Sequence, residues 1–444
     1  MNGLPAIRRS HYSTALLTLP AYGGTLAAVR QLGRSGVPVV VVGHDILAAA
    51  RWSRHASRFV SCPPVQDGGR FVEWLMAYGE RKPGHVLLPT SDEMVLLFAS
   101  NLKLLETNFR LYQPPLESTL RVLDKRLLWQ ACRQVGIDTL PSWFPSGEEE
   151  LHILGTNLPY PVLIKPRTQV RRTRRNQGVV VRGPEDLLTS YRAVATQTHD
   201  PSGYDKLSDA DIPMVQQFAE EGSEAVYSVS GFIDRSGELM VARGTTKVFQ
   251  RRRPVGIGVC FEASPLEDDL AKGVKRLCRE VGHFGVFEVE FVRWKQKWAV
   301  IDFNPRFYHQ MGLDISRGLP LPMWTYLGAC GEESLLEVEM RRAANRTDGA
   351  TSAFCDQFTF RAILTAMRIT GRLSRVEAAV WKRWLEQHRA GIVDIAIDVR
   401  DPIPGFVHAL SELKLGLQAV PRFLSAPRTA SRTVLPVHER ETIL

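Results

Sequence analysis

The stretch from Gly285 to Phe307 constrains this chain most. Apolar and polar residues alternate on both sides of the triplet Lys295, Gln296 and Lys297, and alternation places successive side chains on opposite faces of a strand. The pattern predicts a β-hairpin. A three-residue connection pairs Trp294 with Trp298, which sets Glu290 opposite Asp302 and Glu288 opposite Asn304 on one face. Phe287, Val289, Phe291, Ile301 and Phe303 then share the other, core-facing side. A slip of one residue would drive the carboxylates into that core, so the register is strongly specified.

Three carboxylates so close repel one another by about 4 kcal/mol per pair at an effective dielectric near 20. A bound cation removes that repulsion. Hard oxygen donors on two strands suit Mg²⁺ or Mn²⁺, which keep other positions for water and phosphate. A solvated acidic face without a ligand is the alternative.

The segments Phe287-Glu-Val-Glu-Phe291 and Ile301-Asp-Phe-Asn-Pro-Arg306 together resemble the metal-binding hairpin of the ATP-grasp ligases. The resemblance implies that Glu290, Asp302 and Asn304 hold the metals bridging the nucleotide phosphates, and that Arg306 reaches the transferred phosphoryl group. Glu288 has no settled counterpart, and Asp302 stands where the family more often has glutamate.

At 444 residues the chain exceeds one ordinary core, which predicts two or three domains. With 44% apolar and 23% charged residues it has a globular composition. The net charge of +9 favours anionic ligands in general and does not by itself imply nucleic acid. The six cysteines lack C-x-x-C or zinc spacing, as expected of reduced cytosolic residues. A basic start followed by a short apolar run does not read as a secretory signal, and no window has the apolar length of a membrane span. A cytoplasmic location is expected.

In chain order, Thr14 to Leu19, Thr25 to Leu32 and Val37 to Val42 read as a β-α-β unit with a tight turn at Gly23 and Gly24. His85 to Pro89 reads as a short strand, after which Ser91 or Asp92 caps a helix or faces a ligand crevice. A helix carrying Lys125 ends at Gly136, with a domain boundary near 120. Tyr160 to Pro166 reads as a strand ending in Lys165, a lysine that could also protect a sheet edge. The family resemblance implies that Lys125 and Lys165 contact nucleotide phosphates.

The segment from Arg167 to Gly178 is rich in arginine where many family members have a glycine-rich loop. Its guanidinium forks suit phosphate or carboxylate; contact with an anionic polymer or lipid surface and a plain disordered basic loop are the alternatives. By resemblance, Gln216, Gln217 and Phe218 form the hinge whose backbone binds adenine, and Glu224 takes the ribose hydroxyls. Lys247 and Arg251 to Arg253 are candidates for the acidic substrate or the terminal phosphate, or plain surface charge. His309 reads as a supporting histidine. Beyond Asp356, the segments 358–369 and 376–387 look helical, 392–399 alternates like a strand, 406–423 is amphipathic with few charges, and 425–444 reads as disordered.

The expected architecture is α/β plus α+β: an ATP-grasp fold with an N-terminal Rossmann-like domain. The expected divisions are 1–121 for the N-terminal domain, 122–215 and 216–340 for the small and core ATP-grasp subdomains, and 341–424 for a C-terminal extension. In organisation the chain resembles bacterial carboxylate-amine ligases of this superfamily. That implies ATP and Mg²⁺ as cofactors, small-molecule carboxylate and amine substrates, and an amide formed through an acyl phosphate. Catalytic roles would fall to Arg306 and Lys165. A non-catalytic ATP sensor and a ligase with a non-amine acceptor are the alternatives. No specific nucleic-acid partner is expected, peripheral membrane contact stays open, and a homodimer is the commonest closed assembly.

Overall fold

The computed structural model describes residues 12–170, 178–195, 212–220, 222, 225–251, 255–346 and 352–425. Three sheets organise it. The first contains β1 (Ala15–Leu17), β2 (Val39–Gly43), β3 (Arg58–Ser61), β4 (His85–Leu87) and β5 (Phe109–Leu111) in the order β3-β2-β1-β4-β5. Every pairing is parallel, and β1 and β2 are buried throughout, as expected of strands covered on both faces. The strand order reverses beside β1. Thr18 and Thr90 meet there by a hydroxyl hydrogen bond just past the carboxyl ends of β1 and β4. Ser91, and not Asp92, caps the following helix Asp92–Ser100, its Oγ accepting from Met94 N at 3.2 Å.

The second sheet has β6 (Ser142–Trp143), β7 (Val162–Lys165), β8 (Val179–Val181) and β9 (Met214–Gln217) in the order β6-β9-β7-β8. β7 lies between two neighbours and Lys165 is buried. The edge-protecting role for Lys165 is thereby excluded.

The third sheet runs β14-β13-β10-β11-β12-β15-β16. Its strands are β10 (Val226–Ile233), β11 (Met240–Arg251), β12 (Ile257–Ser264), β13 (Gly285–Trp294), β14 (Lys297–Asn304), β15 (Ala353–Cys355) and β16 (Ile392–Asp394). The predicted hairpin is β13–β14, at the edge of this sheet.

Its turn differs from expectation. Trp294 pairs with Lys297, not Trp298, and the two residues between, Lys295 and Gln296, have φ of 47° and 65°, as a two-residue hairpin turn with primed geometry requires. A β-bulge between the pairs Glu290–Asp302 and Phe291–Val300 absorbs Ile301 as the extra residue. The bulge restores the predicted pairs Glu290–Asp302 and Glu288–Asn304. It also sends Val300 into the core beside Phe287, Val289, Phe291 and Phe303, while Ile301 is only partly buried. The expectation that Ile301 faces the core is corrected on that ground.

The C-terminal helices appear as Gln357–Ile369, Arg375–Gln387 and Ile403–Ser425. The strand expected over 392–399 is only three residues long, because Asp394 Oδ1 accepts from Ala396 N at 2.8 Å and Ile397 N at 2.7 Å and turns the chain out of the sheet. β15 and β16 nevertheless extend the third sheet past β12. Of the tail expected to be disordered, 426–444 lies outside the described residues. Among the described residues no helix is long and apolar enough to cross a membrane.

Candidate active site

The bulged hairpin presents Glu290 and Asp302 side by side toward the gap between the second and third sheets. Each carboxylate meets a lysine from a different element. Lys247 of β11 donates to Glu290 Oε1 at 3.0 Å. Lys125, in the first turn of helix Lys125–Gln134, donates to Asp302 Oδ1. Gln169 Nε2 reaches Asp302 Oδ2 at 3.2 Å, and Lys165 Nζ donates to the carbonyl of Ile301 at 3.3 Å.

Asp124 fixes this arrangement from below. It caps the Lys125 helix by accepting from Arg126 N at 2.8 Å and pairs with the Arg167 guanidinium, while Lys125 N donates to Arg167 O at 2.9 Å. The helix start and the segment leaving β7 therefore move as one unit.

Burial sets the electrostatics. Desolvation, aided by the charge of Lys125, pushes Lys165 down to about 7. Burial also opposes the charged form of Asp302, but Lys125 and Lys165 outweigh it and hold this carboxyl below its ordinary range. Burial likewise opposes Lys247, yet Glu290 outweighs it and raises that pKa.

Behind this layer, Glu288 accepts from Ser228 Oγ at 3.1 Å, Asn304 Nδ2 at 3.1 Å and Gln310 Nε2. Burial first, then the charge of Glu290, moves it up to about 7. The Asn304 carbonyl oxygen accepts from Arg306 Nη2 at 2.9 Å, and Arg306 Nε donates to Asp92 Oδ1 at 3.1 Å. Asn304 and Arg306 thus hydrogen-bond to each other, to Glu288 and to Asp92, and not to Glu290 or Asp302, and neither of them lines the cavity beside that pair. His309 is half-buried with its ring edge-on to Phe354, and desolvation lowers it to about 4.

A cavity, about 800 Å³ with the open solvent of its mouth included, opens onto these groups. Lys125, Lys165, Lys247, Glu290 and Asp302 line one end. Leu140, Leu163, Val226, Val292, Phe218 and Ala219 line the rest. Gln216 and Gln217 also border it, so the three predicted hinge residues within the described chain meet at the cavity. Two hinge amides are already engaged: Gln217 N donates to Pro141 O at 2.8 Å and Phe218 N to Pro161 O at 3.1 Å. Glu224 and Arg252–Arg253, like the arginines of 171–177, lie outside the described residues. Arg251 pairs with Glu412 at 3.0 Å on the C-terminal helix and not with the cavity.

The donor chemistry at the charged end is hard carboxylate oxygen. Among the described residues no three His, Cys, Asp or Glu side chains converge as a self-sufficient metal cage. Two carboxylates facing a cavity fit a cation whose remaining positions go to water and phosphate oxygens. Sequence reasoning missed Gln169 and Gln310, whose contacts arise only when distant segments pack, and it saw Asp92 as a capping candidate and not as the partner of Arg306.

No family model matches the chain, and no curated protein matches it in sequence. Solved structures do match its fold. The biotin carboxylase domain of 2-oxoglutarate carboxylase from Hydrogenobacter thermophilus, in complex with MgADP, ADP and bicarbonate, superposes with a TM-score of 0.59 at 16% identity, over 72% of this chain and 70% of that one. An L-amino acid ligase from Bacillus licheniformis gives 0.55 at 14% identity, over 77% and 78%. N5-carboxyaminoimidazole synthetase from Staphylococcus aureus gives 0.52 at 13% identity, over 74% and 80%. At such identities the likeness is one of fold.

Proposed function

We propose that this chain, which has the ATP-grasp fold behind a parallel-sheet N-terminal domain, is an ATP-dependent carboxylate-amine ligase. One observation carries the reading: a single cavity has an apolar end bordered by Gln216 to Ala219 and a charged end where Glu290 and Asp302 lie among three lysines. The apolar end suits a purine base. The charged end suits a polyphosphate with Mg²⁺ or Mn²⁺.

The roles follow from charge and position. Glu290 and Asp302 would hold the divalent cation, with Asn304 as a third oxygen donor once released from Arg306. A bound cation supplies charge neutralisation on the transferring phosphoryl group. Lys125 and Lys247, now counterions of the two carboxylates, would be released to hold phosphate oxygens with a cation bound there. Lys165, projecting from a rigid strand, binds phosphate and regains its full charge on doing so. Arg306 stands between the hairpin and the first domain, where it can hold the developing oxyanion.

The substrate carboxylate attacks the terminal phosphorus of ATP, breaking its bond to the bridging oxygen, and ADP leaves. The amine then adds to the acyl phosphate carbonyl, inorganic phosphate departs, and the ammonium nitrogen loses its proton as the amide forms. Catalysis of this kind consists mainly of positioning and neutralisation.

The test is ADP release from Mg²⁺-ATP with pooled carboxylates, with and without pooled amines, beside a Glu290→Gln control. Release that needs both pools and disappears in the control supports the ligase. ATP binding without release supports a nucleotide sensor, and release with carboxylates but another acceptor supports a non-amine ligase. Failure to bind ATP removes the reading altogether.

A further inference from the structure

The helix Ile403–Ser425 is amphipathic in an inverted sense. The side it turns to the protein carries its polar contacts, beside buried Pro404 and half-buried Val407: His408 Nε2 meets Asp356 Oδ2 at 3.1 Å, and Glu412 accepts from Arg251 at 3.0 Å. The side it turns to solvent is apolar, with Ile403 53%, Phe406 73%, Leu410 56% and Leu413 53% exposed. These positions recur at alternating intervals of three and four, which is one stripe of a helix. In the sequence the same spacing continues through Leu417, Val420 and Leu424.

Two further features extend the patch. The helix packs against the short turn Ala49–Trp52 of the first domain, where Arg54 Nη1 donates to Arg400 O at 3.3 Å. Trp52 of this turn, Ile46 shortly before it, and Ile397 and Val399 just before the helix are exposed as well. All four residues 413–416 are exposed, so at this point every side of the helix is open. Its apolar stripe lacks cover among the described residues.

We propose that this face is a docking surface for an anionic phospholipid bilayer. Charge decides for lipid. Arg51, Arg54, Arg400 and Lys414 surround the apolar stripe and enter no ion pair among the described residues, and the chain carries +9 overall. Trp52 and Phe406 supply aromatic side chains of the kind that settle at headgroup depth. A helix lying in the interface with its apolar side down and cations at its rim gains from both terms. Over 413–416 the helix is open on every side, which suits a surface that can surround it, as a bilayer interface does.

The experiment is co-sedimentation of the full chain with vesicles of phosphatidylcholine, with and without phosphatidylglycerol. The wild type is expected to bind the anionic vesicles, with affinity at least about tenfold above that for neutral ones, and to lose binding with added salt. Phe406→Glu/Leu410→Glu changes only exposed positions, so its thermal unfolding should match wild type while vesicle binding is lost. Brominated lipid should quench wild-type fluorescence more than that of Trp52→Phe. Absence of binding to either vesicle, or unchanged binding by the double variant, overturns the proposal. So does a wild-type dimer in sedimentation velocity that the double variant converts to monomer without vesicle binding, since the face would then seat a second copy.

Discussion

Arg306 Nε donates to Asp92 Oδ1 at 3.1 Å across 214 residues of sequence, and this contact joins the first domain to the end of the hairpin. Phe307 N reinforces it, donating to Pro89 O at 2.9 Å. Asp92 therefore sets where the Arg306 guanidinium stands. Asp92→Ala is expected to lower unfolding free energy by about 3 kcal/mol, the lower end of what removing one member of a buried pair costs. It should also slow ADP release while ATP affinity changes little, which urea denaturation and steady-state kinetics would show. A variant with unaltered turnover would separate Arg306 from the chemistry.

Asp302 holds Lys125 and Gln169 together at the charged end of the cavity. Asp302→Ala is expected to abolish Mg²⁺-dependent ADP formation while leaving the circular dichroism spectrum unchanged. Near-normal turnover in this variant would remove the metal assignment.

Lys165, lowered to about 7 by burial, is partly neutral at the upper end of physiological pH. A phosphate brought against it favours the ammonium form, so ATP binding at pH 8 should take up a proton. Calorimetry in buffers of different ionisation enthalpy measures that uptake, and Lys165→Met should suppress it together with much of the affinity. Identical enthalpies in all buffers would contradict the phosphate role.

His283 is buried, its Nε2 lies 3.2 Å from Val286 O, and desolvation lowers it to about 4. The folded protein thus binds fewer protons than the unfolded chain between pH 6.5 and about 4. Stability contributed by the neutral imidazole is fully present above 6.5 and lost as pH falls through that window, up to about 3 kcal/mol. His283→Gln keeps a donor without a titrating ring and should flatten the fall in urea midpoint across this range.

The hairpin was legible because alternation survives in a sequence whatever surrounds it, and its register followed from keeping carboxylates out of the core. The bulge was not, since one extra residue leaves composition and alternation nearly intact. Only pairing with Phe291 and Glu290 reveals that Ile301 is the surplus residue. Long-range partners carried even less local signal: Lys247, Gln169, Gln310 and Asp92 arrive from four segments. Gly24 shows the same limit. In sequence it marks a turn, whereas in the fold a Cβ there would stand 2.7 Å from Tyr308 O, so its bareness serves a close approach between domains. β15 and β16, three residues each, are too short for a period to be read.

The C-terminal residues also return to the beginning of the chain. Arg30 Nε donates to Asp401 Oδ2 at 2.9 Å and its Nη2 to Ala396 O at 2.7 Å, while Ser53 Oγ and Arg54 N donate to the same aspartate. The first domain is therefore tethered twice, covalently at its end and by this clasp at its flank. Loss of the last strands would expose β12 and loosen the first domain together, so the first domain and the segment 392–401 should melt as one cooperative event and not in succession.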